Sequence, residues 1–101
     1  MKIIVVCGAG ASSTFVALKV RAAAKAAGVD AVVSVGSVSQ LELSDADVLL
    51  VGAHLADFLP ELRERAAASG TAVAMLPAVS PASIDGAEAL GLALDAKAAA
   101  L

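Results

Sequence analysis

Four short runs of apolar, largely β-branched residues recur along the chain: Lys2–Val6, Ala31–Val35, Asp47–Val51 and Ala72–Leu76. Each reads as a strand, and the β-branched run Lys2–Val6 suits one buried on both faces. Between and after them the spacing turns helical. From Thr14, Phe15, Leu18 and Ala22 fall on one side and Lys19, Arg21 and Lys25 elsewhere, and Gly28 is a natural stop. Gln40–Leu43 is expected to form a short helical turn. Leu55, Phe58, Leu59, Leu62 and Ala66 keep helical spacing, with Pro60 tolerated near the start, an i,i+4 pair in Glu61 and Arg65, and Gly70 as terminator. Ser83 is placed to cap a last helix running to about Ala99, which Gly91 weakens by roughly 1 kcal/mol relative to alanine. Such alternation with short connections implies an α/β fold whose parallel sheet is built from right-handed crossovers. A chain of 101 residues has room for one such domain, spanning residues 1–101.

Composition narrows the function. The chain is 59% hydrophobic but only 2% aromatic, much of the excess being alanine. Small side chains suit close helix-on-sheet packing better than a deep pocket for a large flat cofactor, and no cofactor is expected. A mean hydropathy of +0.88 raises the question of a membrane span. The uncharged stretches are interrupted by Gly8 and Gly10, or by Gly70, Pro77 and Pro81, so neither supplies the ~20 apolar residues a span needs. The apolar run after Lys2 is too short for a secretory signal, and bulky Val6 argues against lipidation of Cys7. The expectation is a cytoplasmic chain without direct membrane insertion. A net charge of −3 without a basic cluster argues against nucleic acid. One cysteine and one histidine, Cys7 and His54, are too few soft ligands for structural zinc, so no metal is expected.

In open parallel sheets, function gathers at the carboxyl ends of the strands. Three segments fall there: Cys7 to Thr14, Gly52 to Leu55, and Pro77 to Pro81. The first reads Cys7-Gly8-Ala9-Gly10-Ala11-Ser12-Ser13-Thr14. Its small residues allow successive N–H groups to converge on an anion, and a following helix adds its own unpaired amides. Ser12, Ser13 and Thr14 add hydroxyls. The same donors favour the thiolate of Cys7. A free thiol titrates near pH 8.5, and lowering that by one or two units needs roughly 1.4–2.7 kcal/mol, more than a helix terminus alone typically supplies. A moderately acidic thiol is therefore expected, with Gly8–Thr14 as phosphate cradle. The plainer alternatives are a buried strand-end cysteine and a simple N-cap among the hydroxyl residues. A dinucleotide fingerprint is disfavoured because Ser13 stands at the third glycine position. A cysteine phosphatase or arsenate reductase would need arginine at Ser13, and without it the loop holds phosphate but is poorly equipped to hydrolyse it.

These residues resemble the IIB subunits of lactose/cellobiose/chitobiose-type phosphotransferase systems. Their hallmark is Cys-x-Ala-Gly-x-Ser-[ST]-[ST] after the first strand, matched by Cys7 to Thr14. Asp47-Val48-Leu49-Leu50-Val51-Gly52, Leu59-Pro60-Glu61-Leu62 and Ile84-Asp85-Gly86 match in the same order. The resemblance implies a four-stranded parallel sheet flanked by helices on both faces, a three-layer sandwich. It also implies that Cys7 is phosphorylated by a phosphohistidine on a IIA subunit and passes the phosphoryl group to a sugar bound by the membrane IIC permease, with which the subunit associates peripherally. The chain departs from the family pattern at Ala53-His54, where Pro-Gln is common, at Ala11 and around Pro81-Ala82. Ascorbate- or galactitol-type IIB subunits, and a IIB-like regulatory module that reports phosphorylation, are the alternatives. His54 is placed either to orient a phosphoryl group or as an ordinary loop histidine; Asp57 and Asp85 are expected to cap helices.

Overall fold

The computed structural model describes residues 1–6, 10–36, 43, 45–77 and 83–99, with only the backbone for residues 10–13 and His54. The elements run β1 (Lys2–Val6), α1 (Gly10–Ala26), β2 (Val32–Gly36), β3 (Val48–Val51), a 3₁₀ helix (Ala53–Phe58), α2 (Leu59–Ser69), β4 (Ala72–Met75) and α3 (Gly86–Ala99). The strands form one parallel sheet in the order β2-β1-β3-β4. Ile3 pairs with Val33 on one side and Val48 on the other, so β1 and β3 are the two interior strands.

Side chains alternate across each strand and divide the core in two. Ile3, Val5, Val48 and Leu50 pack against Val16, Ala17, Val20 and Ala24 of α1 and Ala89, Leu90 and Ala93 of α3. Ile4, Val6, Leu49 and Val51 pack on the opposite face against Leu62 and Ala66 of α2. Two helices therefore cover one face and one the other, and the expected three-layer α/β sandwich is present. The alanines at Ala17, Ala24, Ala89 and Ala93 are where these helices meet the core.

Several terminators act as the sequence suggests. Gly28 and Gly70 adopt positive φ values of 71° and 68°, which end α1 and α2 at little steric cost. Pro60 sits in the first turn of α2. Three expectations are corrected. Helix α1 begins at Gly10, not Thr14, because a first turn tolerates small, poor helix formers once the following turns are packed. Asp85, rather than Ser83, caps α3: its Oδ1 accepts the Ala87 N–H at 2.9 Å and its carbonyl accepts the Ala89 N–H at 3.0 Å. The stretch around Leu55 is 3₁₀ from Ala53 to Phe58, kinked at Leu55 (φ −99°, ψ 21°), and becomes α-helical only at Leu59. The turn expected at Gln40–Leu43 lies outside the described residues, apart from Leu43.

Buried Thr71 was not singled out in the sequence. Its hydroxyl donates to the Ala46 carbonyl at 2.9 Å, with the Leu43 carbonyl at 3.3 Å, fixing the connection into β3 against the end of α2. No helix among the described residues is long and apolar enough to cross a membrane.

Candidate functional site

The strand order creates one place where the chain parts. From the carboxyl end of β1 it departs toward α1 on one face; from that of β3 it departs toward the 3₁₀ helix and α2 on the other. Neighbouring strands whose continuations leave in opposite directions open a crevice between them, the usual binding position in open α/β sheets. The strand ends that bound it are held level. Gly52 N–H donates to the Val6 carbonyl at 2.7 Å, extending the β1–β3 ladder one step past the strands, and Leu76 N–H donates to the Val51 carbonyl at 2.8 Å.

Gly52 is buried and extended (φ −62°, ψ 142°), and its carbonyl accepts the Leu55 N–H at 2.9 Å, so the chain turns as soon as it leaves the sheet. This carries His54 to the same edge as the end of β1. The His54 side chain lies outside what is described, as do Cys7, Gly8, Ala9 and the part of Pro77–Pro81 beyond Pro77.

On the β1 side, β1 ends at Val6 and α1 begins at Gly10, so three residues join sheet to helix. The first four amides of an α-helix have no carbonyl four residues back within the helix. In α1, which begins at Gly10, these include the amides of Gly10, Ala11 and Ser12, three of the residues singled out in the sequence. Thr14 is the fifth residue of α1, so its amide has an intrahelical partner available. Its side chain is exposed and lines a groove beside Leu18 and Val35. The first turn of α1 carries no acidic residue among Gly10–Ser13, and its last turn carries Lys25, the distribution that complements a helix dipole while leaving the positive end open to an external anion.

The segment behind this site is braced by contacts that the sequence did not disclose. Lys19 Nζ of α1 donates to the Ile84 carbonyl at 2.8 Å. Gly86, the first residue of α3, lies so close to the Lys19 main chain that a Cβ would collide with its carbonyl. Ile84-Asp85-Gly86 thus supplies a buried anchor, a cap and a close approach; the anchor and the close approach fix α1 against α3, and the cap starts α3.

The comparisons with known proteins agree with this geometry. The family model described as PTS system, lactose/cellobiose-specific IIB subunit, matches residues 2–91. Among solved structures, the lactose-specific IIB component domain of the phosphoenolpyruvate:carbohydrate phosphotransferase system from Streptococcus pneumoniae superposes with a TM-score of 0.82 at 15% identity, covering 95% of this chain and 96% of that one. No curated protein matches the sequence.

Proposed function

Because the chain belongs to the lactose/cellobiose-specific IIB subunits of the phosphotransferase system, we propose that Cys7 is its phosphoryl carrier. The thiolate of Cys7 attacks the phosphorus of a phosphohistidine on a IIA subunit; a P–S bond forms, the P–N bond breaks, and the imidazole leaves. In the second transfer a hydroxyl of a sugar held by the membrane IIC permease attacks the same phosphorus. The P–O bond forms, the P–S bond breaks, the hydroxyl proton is released and the thiolate is restored. The activity is that of a protein-phosphocysteine–sugar phosphotransferase, carried out in the cytoplasm at the surface of the permease.

One observation carries this reading: only residues 7–9 separate the level strand ends from the first turn of α1, so Cys7 directly follows Val6 and precedes the Gly10, Ala11 and Ser12 amides, which have no intrahelical partners. Those amides, with the hydroxyls of Ser12, Ser13 and Thr14 and the backbone of Gly8 and Ala9, form the cradle. They hold the equatorial oxygens during in-line transfer and leave reactivity to position and electrostatics. Ser13 occupies the place where a hydrolytic relative would need arginine, which favours handing the phosphate on over losing it to water. The family match also favours the lactose/cellobiose type over ascorbate- or galactitol-type relatives.

The test is intact-mass measurement after incubation with phosphorylated IIA. The native chain gains one phosphate, labile to iodine, and Cys7→Ser gains none that is iodine-labile. Retention of an iodine-labile phosphate by Cys7→Ser, or failure of the native chain to gain one, rejects the assignment.

A further inference from the structure

Strand β2 forms one edge of the sheet. Val32 N–H donates to the Met1 carbonyl at 2.8 Å, so Val32 and Ser34 direct their main-chain groups at β1, and Val33 and Val35 direct theirs outward. Among the described residues no strand pairs with that outer side. Helix α1 runs alongside and closes a groove of about 320 Å³ over the edge, with Thr14 and Leu18 on its wall and Val33 and Val35 on its floor. Two large apolar side chains stay in solvent here, Leu18 at 53% and Val35 at 48% exposure.

The outward carbonyl of Val33 is taken by one cation: Arg21 Nη2 donates to it at 2.7 Å. Lys25 follows one turn along the same face of α1. This charge selects among occupants. A second copy pairing edge to edge would bring two Arg21 guanidinium groups to one seam and displace both from their carbonyls. A strand carrying a carboxylate does the reverse. Arg21 exchanges a neutral carbonyl for a charged partner, and Val33 is released to accept an N–H from the arriving strand.

We propose that the open edge of β2 takes up an extended segment of a protein partner as a fifth strand, with a β-branched residue against Leu18 and Val35 and an acidic residue on Arg21. Strand addition between an edge strand and a helix draws affinity from the main chain and selectivity from alternate side chains. The groove meets the site of phosphoryl transfer only at Thr14, and its floor at Val33 and the Arg21 guanidinium lie back from the carboxyl edge. The proposal stands independently of the relay.

The test uses the full ¹⁵N-labelled chain and two blocked pentapeptides, Ac-Val-Thr-Val-Thr-Asp-NH₂ and its counterpart ending in lysine. The aspartate peptide is expected to shift the amides of Leu18, Val33 and Val35 saturably, with the lysine peptide about tenfold weaker. In Arg21→Glu, whose fold is checked from the same spectra, the order reverses. Equal binding of the two peptides, shifts confined to other surfaces, or no shift with either overturns the proposal. Concentration-dependent broadening of the β2 amides without peptide overturns it in favour of a second copy.

Discussion

Gly86 and Gly91 lie in the same helix, five residues apart, and alanine has opposite consequences at the two. A methyl group at Gly86 meets the main chain of Lys19, and neither partner is a flexible side chain that can swing aside. At Gly91 nothing lies within 4 Å of the added carbon. Gly86→Ala is therefore expected to cost about 1–3 kcal/mol, as α3 is pushed away from α1. Gly91→Ala is expected to stabilise by about 0.5–1 kcal/mol through helix propensity and a less flexible unfolded chain. Urea unfolding of both variants checks this; a neutral Gly86→Ala would show that the contact between α1 and α3 is looser than drawn. The sequence offered Ile84-Asp85-Gly86 as part of a family pattern beside the chemistry. Its residues prove to be structural: Ile84 is buried, Asp85 caps and Gly86 admits a neighbour. Propensity ranks Ser83 and Asp85 alike as caps, and it cannot tell which of two acceptable residues stands where the backbone turns.

At the scale of elements, the start of α1 carries most of the functional argument. Gly10–Ser13 read as loop because glycine and serine are poor helix formers, yet they form its first turn, with Val16, Ala17, Val20 and Ala24 seated on the sheet behind them. Helix α1 is apolar nearly all round, so spacing could not decide which side faced inward. The side marked by Phe15 and Leu18 faces solvent, at 58% and 53% exposure. A proline at residue 11 separates helix formation from anion binding. Ala11 is the second residue of α1, where proline removes no intrahelical hydrogen bond, and Gly10 before it has no Cβ to clash. Ala11→Pro should leave the unfolding midpoint nearly unchanged while slowing phosphoryl transfer to Cys7 by about a hundredfold to a thousandfold, the effect of losing one preorganised donor. Rates from quenched-flow transfer out of phosphorylated IIA, set beside urea midpoints, make the comparison. An unchanged rate would remove the Ala11 amide from the cradle.

Across the whole molecule the two edges of the sheet are built differently, and only part of that is written in the residue pattern. Four strands, their parallel arrangement and the glycine stops follow from the apolar runs and the short connections. The order β2-β1-β3-β4 does not, because an edge strand such as β2 is as apolar in sequence as buried β1; only the fold exposes Val32 and Val35. The amino edge is held by charge. Asp47, just before β3, accepts Lys97 Nζ of α3 at 2.8 Å on Oδ1 and the Lys2 N–H of β1 at 2.8 Å on Oδ2. One carboxylate thereby joins two strands and the far end of a helix from the opposite half of the chain. The hydrogen bond from Lys97, followed by that from the Lys2 amide, holds the Asp47 carboxyl below its ordinary pKa of 3.8. The folded chain consequently releases this proton more readily than the unfolded one, and stability rises with pH across that interval. The contribution is complete above pH 3.8 and disappears as the pH falls through the lower folded value. Both side chains are about one-third exposed, at 33% and 36%, so solvent screens the pair. Asp47→Asn is expected to cost about 1 kcal/mol at neutral pH, since the amide oxygen can still accept one hydrogen bond without charge. The difference between native and variant should narrow as the pH falls below 3.8, because protonation removes the charge that distinguishes Asp47 from asparagine. Urea unfolding across a series of pH values from neutral into acid measures it; a gap that persists undiminished in acid would mean that shape, and not the carboxylate charge, is what Asp47 contributes at this edge.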